Sequence, residues 1–421
     1  MSPELRAYLD GLPVGTFTQT SQGALGFRYD DDRDSARRTL LSWSMPFERS
    51  QHGNRVVRAW LDGLLPDNQM VRERWARQYA VSANNPFALL RHVGRDAAGA
   101  VQILPPGTAS EDAAERRGDV EWLDDAEVVA MLGELAEHRY DWDPGRQAGR
   151  WSLAGAQSKM ALHRDPTARR WGIPRDSTPT THILKPVIPG LDDHHINEVL
   201  CLKAARRLGL AAAAVDVMES GAVQAMVSVR YDRVMGPDGV YHRLHQEDLC
   251  QALAVHPSLK YQSEGGPGIG QIADLLATFD LRDREAARGR FFDGVAYNVL
   301  IGGTDAHAKN YSLLLAGRRA QFAPLYDVAS AAPYEFDTPA AAAMKVGDHW
   351  AMRQITDSDW AKAGRRLGLR ADAAVGRVRA LRDRIPEAFA QAVGDLPDSM
   401  RGRALAIAAA VERHVDGLPR A

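Results

Sequence analysis

Cysteine is scarce: Cys201 and Cys250 are the two in a chain of 421 residues. That excludes a disulfide framework and every zinc site built on cysteine pairs. Both sit in apolar, helix-like surroundings and read as buried, reduced thiols. Long hydrophobic runs are also missing, so nothing approaches the roughly 20 residues of a membrane-spanning helix. The N-terminus, MSPELRAYLDGLPVG, lacks the charged start and apolar core of a secretory signal. A soluble, cytoplasmic protein with no membrane partner is expected. Charge of one sign is lacking too: 52 basic residues face 54 acidic ones, a formal net charge of −2. No polyanionic partner is demanded globally, although local patches remain compatible with that balance. What the chain does have is length and 45% hydrophobic residues, enough for a sizeable core and two or three structural units.

Residues 1–104 mix short strand patterns with helix. Gly15 to Tyr29 alternates polar and apolar side chains as one half-buried strand. Val56 to Leu65 reads as a helix closed by the turn Pro66-Asp67-Asn68, and a second helix follows through Arg77. Its arginines, Arg72, Arg74 and Arg77, read as a solvated face rather than a DNA contact. Residues 105–119, rich in Pro, Gly and charge, read as a linker or surface loop. Residues 120–241 look α+β. A helix is expected over Asp125–His138, strands over Lys159–His163, His182–Pro186 and Ala225–Tyr231, and a helix over Ile196–Leu208 ended by Gly209. From residue 242 to 421 the chain reads as all helical. Phe292, Val295, Ala296, Val299 and Leu300 share one helical face, as do Val375, Val378, Leu381 and Ile385. A sheet-rich first half and a helical second half predict two lobes with a cleft between them.

The chemistry concentrates in Gly302 to Ser312. Asp305 and Asn310 stand five positions apart, the separation that protein kinases use for the catalytic carboxylate and a metal-binding amide. The carboxylate can take or orient the proton of an attacking hydroxyl, and the amide oxygen is a hard, uncharged ligand for Mg2+. Lys309 adds a cation that can steady the transferring phosphoryl group. Asp327 follows in Ala-Pro-Leu-Tyr326-Asp327-Val and supplies a second metal-binding carboxylate, although the triplet differs from Asp-Phe-Gly. Upstream, Ala154-Gly155-Ala156-Gln157-Ser158-Lys159 offers small residues whose backbone amides can approach phosphate oxygens. It is not a Walker A loop. Lys185, at the end of an apolar strand, matches the lysine that grips the α- and β-phosphates, and Glu198 on the next helix is its expected partner. Each piece alone has an ordinary reading as a turn residue or a solvated charge; their order and gaps join them. Gly265, Gly266, Gly268 and Gly270 have no preceding strand and read as a loop opening a helix, not a dinucleotide site. His307 reads as a supporting or ATP-adjacent residue rather than a ligand of a catalytic metal.

These motifs resemble the HipA family of serine/threonine kinase toxins. The match runs through Leu64–Asn68, Gly99–Gln102, Ser152 with Ala154–Lys159, Thr181–Lys185, Asn197-Glu198, Gln246–Asp248, Gly265–Gly268, Thr304–Asn310 and Leu325–Val328. The resemblance implies a two-lobed fold related to phosphoinositide kinases, ATP and Mg2+ as cofactors, and transfer of phosphate to protein seryl or threonyl hydroxyls. It implies a target in translation such as an aminoacyl-tRNA synthetase. It also implies a helix-turn-helix antitoxin that carries the kinase to operator DNA, and autophosphorylation on Ser152 as the off switch. Relatives carry Glu-Arg-Phe-Asp-Arg where this chain has Val229-Arg230-Tyr231-Asp232-Arg233, so adenine contacts fall to the backbone of residues 229–231. Two other functions would share this sequence: a catalytically silent kinase-fold co-repressor, and a transferase that moves AMP.

Overall fold

The computed structural model describes residues 3–30, 39–108, 110–116, 118–137, 151–221, 223–334 and 339–419. Two compact units emerge. The first comprises Met1–Pro186, Glu219–Ser258 and Leu314–Arg318, and the second Val187–Met218, Leu259–Leu313 and Arg319–Ala421.

The first unit contains two larger antiparallel sheets and the two-stranded pair Arg233–Met235 with Tyr241–Arg243. One has the order Gln51–His52, Leu25–Tyr29, Leu12–Gln19, Glu4–Leu9, Val101–Leu104. The single strand expected from Gly15 to Tyr29 is therefore two. The turn carries Gly23 with φ of +82°, which reverses the chain and lets Phe17 pair with Phe27 in the core. The helix Asn54–Gly63 covers this sheet, and Trp60 stacks on Phe17 at 5.8 Å between ring centroids. In the helix Gln69–Tyr79, Arg72 is not solvated. It is buried, with Nη1 donating to Asp62 Oδ1 at 2.7 Å and Nε to the Pro66 carbonyl at 2.6 Å. The 105–119 segment includes a short helix, Ser110–Ala114. Ala113 packs there with Tyr8 and Leu104, and its carbonyl accepts from Gln102 Nε2 at 2.9 Å. One buried small residue thus fastens a stretch that composition reads as a loop.

In the second sheet, Val223–Val229, His182–Pro186, Met160–Arg164, Trp171–Pro174 and Val120–Leu123 lie side by side, antiparallel. The strands expected over 159–163, 182–186 and 225–231 correspond to the first three of these, because those apolar runs are short and bounded by Pro, Gly and charge, while Trp171–Pro174 and Val120–Leu123 were not expected. The helix Asp125–Glu137 packs on two of these strands; His138 lies outside the described residues.

The second unit is built on the helices His194–Arg207, Ile269–Ala277, Leu281–Ile301, Asp357–Arg366, Ala371–Gly394 and Asp398–Asp416. Phe292, Val295, Ala296, Val299 and Leu300 all point inward from the 21-residue helix Leu281–Ile301. Val378, Leu381 and Ile385 are buried as well, while Val375 is half-buried beside the buried Ala374. Residues 242–421 are nevertheless not all helical. Strands occur at His245–Asp248, Ser312–Ala316, Arg319–Phe322, Ala341–Val346 and His349–Ala351. Each spans six residues or fewer, too short to show a period of two against the surrounding helical pattern. Cys201 and Cys250 are buried and form no disulfide. No helix among the described residues is long and apolar enough to cross a membrane.

Candidate active site

The 151–159 segment is tied down inside the first unit. Trp151 bridges to Asp96 and Gly155 to Pro66, while Asp67 N–H donates to the Gly155 carbonyl at 3.0 Å. Lys159 Nζ donates to the Ala154 carbonyl at 2.6 Å. A planar trans peptide points its N–H opposite to its C=O. With the Gly155 carbonyl bound to Asp67, the N–H of Ala156 faces the other way, as a donor to a phosphate would. Gly155 has φ of +110°, and a side chain there would press on Lys159 Nζ.

The strand that follows pairs Met160 with Leu184. One step further along that register, residue 159 stands across from residue 185. Both are lysines and both are buried. Like charges on facing positions repel, so this pair suits an anionic ligand. Ser152 is fully buried: its Oγ donates to the Leu64 carbonyl at 2.7 Å and its N–H to the Asp96 carbonyl at 2.9 Å. The Leu64–Asn68 motif is thus the seat of the loop.

Residues 229–231 divide by role. Val229 is exposed and pairs with His182, whereas Arg230 is buried. The Arg230 N–H donates to the Thr181 carbonyl at 2.9 Å. Its guanidinium bonds Asp232 Oδ2 at 2.8 Å, Thr180 Oγ1 at 2.8 Å and the Ala97 carbonyl at 2.8 Å. Arg233 and Arg243 each reach Asp96 Oδ1 at 2.9 Å. Burial alone would raise the Asp96 carboxyl, but Arg233, Arg243 and Arg230 outweigh it and hold the group well below the usual carboxylate range. Desolvation, with Arg230 alongside, pushes Arg233 down to about 10. The Arg230 guanidinium is therefore engaged by partners within the protein. Tyr231 donates its hydroxyl to Gln246 Oε1.

In the second unit, Gly302 ends the long helix in a left-handed conformation, φ +76°, and the chain turns into Thr304–Asn310. Asp305 is well exposed, with 65% of its side chain accessible, while His307, Lys309 and Asn310 are buried. Asn310 Nδ2 donates to the Asp305 carbonyl at 2.6 Å across the short 3-10 turn Ala308–Asn310. The spacing of five thereby closes a ring, and the amide orientation turns Asn310 Oδ1, the hard donor, away from that bond. Tyr326 ties the loop to the segment holding Asp327: its hydroxyl donates to the Lys309 carbonyl at 2.7 Å and lies 2.6 Å from Ser312 Oγ. Tyr326 is thus a brace. Asp327, half-buried, takes φ of +57°, a left-handed conformation that Asp tolerates better than most residues and that clusters at functional positions. Among the described residues no group of three or more His, Cys, Asp and Glu side chains could hold a metal ion. One amide oxygen and one carboxylate nevertheless fit Mg2+, which keeps waters and takes its remaining ligands from phosphate. Glu198 is buried on the helix His194–Arg207. Next to Thr304 a cavity of about 370 Å³ opens, lined in part by Ala331, Tyr334, Pro339 and His414.

Sequence reasoning missed Tyr261. Its hydroxyl donates to Asp305 Oδ1, and its ring stands edge-on to His307 at 4.8 Å between centroids. The signal that could have found it is the Gly265–Gly268 run, whose packing is described below.

Residues 5–104 match the family model described as the HipA N-terminal domain, and residues 151–389 the HipA-like C-terminal domain. The chain belongs to the HipA family. Among the HipA relatives, a Sinorhizobium fredii protein named as a candidate kinase, Y4mE, is 34% identical over 94% of this chain and 93% of its own length. The serine/threonine-protein kinase toxin HipA of Shewanella oneidensis is 29% identical over 85% of this chain and 82% of its own. The solved HipA from Shewanella oneidensis, in a complex with HipB and operator DNA, has a TM-score of 0.84 and 24% identity, covering 98% of this chain and 97% of that one. The HipA fold therefore extends over 98% of the chain.

Proposed function

We propose that this HipA-family chain is an ATP- and Mg2+-dependent kinase for protein seryl or threonyl hydroxyls. The observation that carries the reading is the closed Asp305–Asn310 ring, which presents an exposed carboxylate beside an amide oriented by its own N–H. Phosphate contacts fall to the amide of Ala156, to Ala154, Gly155, Gln157 and Ser158 in the same loop, and to Lys159 and Lys185. Glu198 is proposed as a supporting residue. The backbone of residues 229–231 borders the adenine, and His307, Lys309 and Tyr326 support the loop and its phosphates. Asn310 and Asp327 would hold Mg2+, which would supply positive charge to neutralise the phosphates.

In the transfer step the acceptor hydroxyl oxygen bonds to the γ-phosphorus. The bond from that phosphorus to the bridging oxygen breaks and ADP leaves. The hydroxyl proton passes to the Asp305 carboxylate.

The toxin role and its partners rest on the relatives. One carries the name of a toxin, and its solved form holds an antitoxin, HipB, and operator DNA. For this chain we propose a helix-turn-helix antitoxin, operator DNA reached through it, and a target in translation such as an aminoacyl-tRNA synthetase. Ser152 is proposed as the autophosphorylation site. Its hydroxyl has no room for a phosphate where it lies, so modification requires the loop to leave its seat. The added charge of about −1.5 to −2 keeps it out.

Incubation with γ-labelled and with α-labelled ATP, each with Mg2+, tests the activity. Label from the γ position alone on protein is expected. Label from the α position would mean AMP transfer, and label from neither would mean a silent binding protein.

A further inference from the structure

The Gly265-Gly266-Pro267-Gly268 run has no part in the reaction just described, yet its packing is exacting. A Cβ on Gly266 would overlap the carbonyl oxygens of Leu259 and Tyr261, and one on Gly268 would overlap the Gln262 side chain. Those close approaches coil residues 261–268 tightly. The Tyr261 carbonyl accepts from Glu264 N–H at 3.1 Å and from Gly266 N–H at 2.9 Å. Gln262 Oε1 accepts from Lys345 N–H at 2.7 Å, which anchors the coil to the strand Ala341–Val346. The Lys260 carbonyl accepts from Ala308 N–H at 3.3 Å, which fastens the coil to the Thr304–Asn310 loop. Held in this way, Tyr261 presents its hydroxyl to Asp305 Oδ1, and His307 Nε2 faces the same oxygen at 3.8 Å.

From this juxtaposition we infer that Tyr261 is a positioning residue for phosphotransfer: it fixes the rotation of the Asp305 carboxylate through Oδ1, so that Oδ2 meets the acceptor hydroxyl. The inference rests on the kinase reading and deepens it. An exposed carboxylate otherwise rotates about its last bond, and misplacement of about 1 Å at a reacting group costs about a hundredfold in rate. The glycine run is explained as the scaffold that holds the tyrosine. A donated hydrogen bond also favours the ionised carboxylate, the form that can accept a proton.

Tyr261→Phe keeps the ring and its contact with His307 and removes the hydroxyl. In the full chain, kcat should fall roughly ten- to a hundredfold, with KM for ATP within about twofold of wild type. The acid limb of the kcat profile should move to higher pH, because the carboxyl loses the bond that favours its charged form. In an Asp305→Ala background the same change should have no further effect on the residual rate. A kcat within twofold of wild type with an unmoved acid limb overturns the inference, as does an additive double variant. If the wild type transfers no phosphate, the kinase reading fails first. The contact is then read by carbon NMR titration of Asp305, where a higher carboxyl pKa in Tyr261→Phe supports it and an equal one overturns it.

Discussion

Glu247 shows how far one buried residue can carry the pH response of the chain. It lies within the Gln246–Asp248 motif and is 1% exposed. Burial, opposed by the donors Ser42 Oγ and Trp43 N–H at 2.6 Å each, raises its carboxyl to about 8. The ordinary glutamate value is about 4.3, so between those values the folded chain holds a proton that the unfolded chain has lost. The stabilisation from this group is full below about pH 4 and drains away as pH rises to about 8, with no further loss above. Glu247→Gln should flatten that decline. Thermal unfolding from pH 5.5 to 8.5 would show a smaller fall in midpoint for the variant, and parallel curves for the two proteins would refute the assignment. At this scale the sequence discloses residue type and spacing but not orientation. Asp305 and Asn310 are legible because their separation alone closes the turn. The role of the Arg230 charge is not legible, because it is spent on Asp96 and Asp232, one of them 134 residues away. Tyr261 is invisible because it reaches Asp305 across 44 residues.

Among elements, the 151–159 segment carries the regulatory argument. It is held by Ser152, Gly155 and Lys159 against Leu64, Asp67 and its own carbonyls. Phosphorylated Ser152 cannot keep its bond to Leu64, so the segment should lose its seat as one piece. Hydrogen exchange before and after incubation with ATP and Mg2+ should show deprotection of residues 152–159 together with residues 64–67, in step with phosphate on Ser152 by mass spectrometry. Full phosphorylation with unchanged protection would rule out release of the loop as the switch. The strands His182–Pro186 and Met160–Arg164 were readable from short apolar runs. The strands after residue 242 were not, since pairing with distant partners, rather than local alternation, makes them strands. The hairpin inside Gly15–Tyr29 was hidden for a related reason: alternation continues through the turn, and Gly23 is the one residue there that marks it.

For the whole molecule, the claim is that the motif residues divide one reaction: Lys185 grips ATP, and Asp305 acts on the acceptor. The family likeness extends over nearly all of the chain, with 94% of it aligned to a relative at 34% identity, and the motifs that carry it fall in both units. The decisive measurement pairs calorimetric ATP–Mg2+ binding with γ-phosphoryl transfer in full-length Lys185→Ala and Asp305→Ala proteins. The account predicts that both variants fold, that transfer falls by about 10²–10⁴-fold in Asp305→Ala with ATP affinity kept, and that Lys185→Ala loses ATP affinity and transfer together. Wild-type transfer in a folded Asp305→Ala protein, or unchanged ATP affinity in Lys185→Ala, would contradict it.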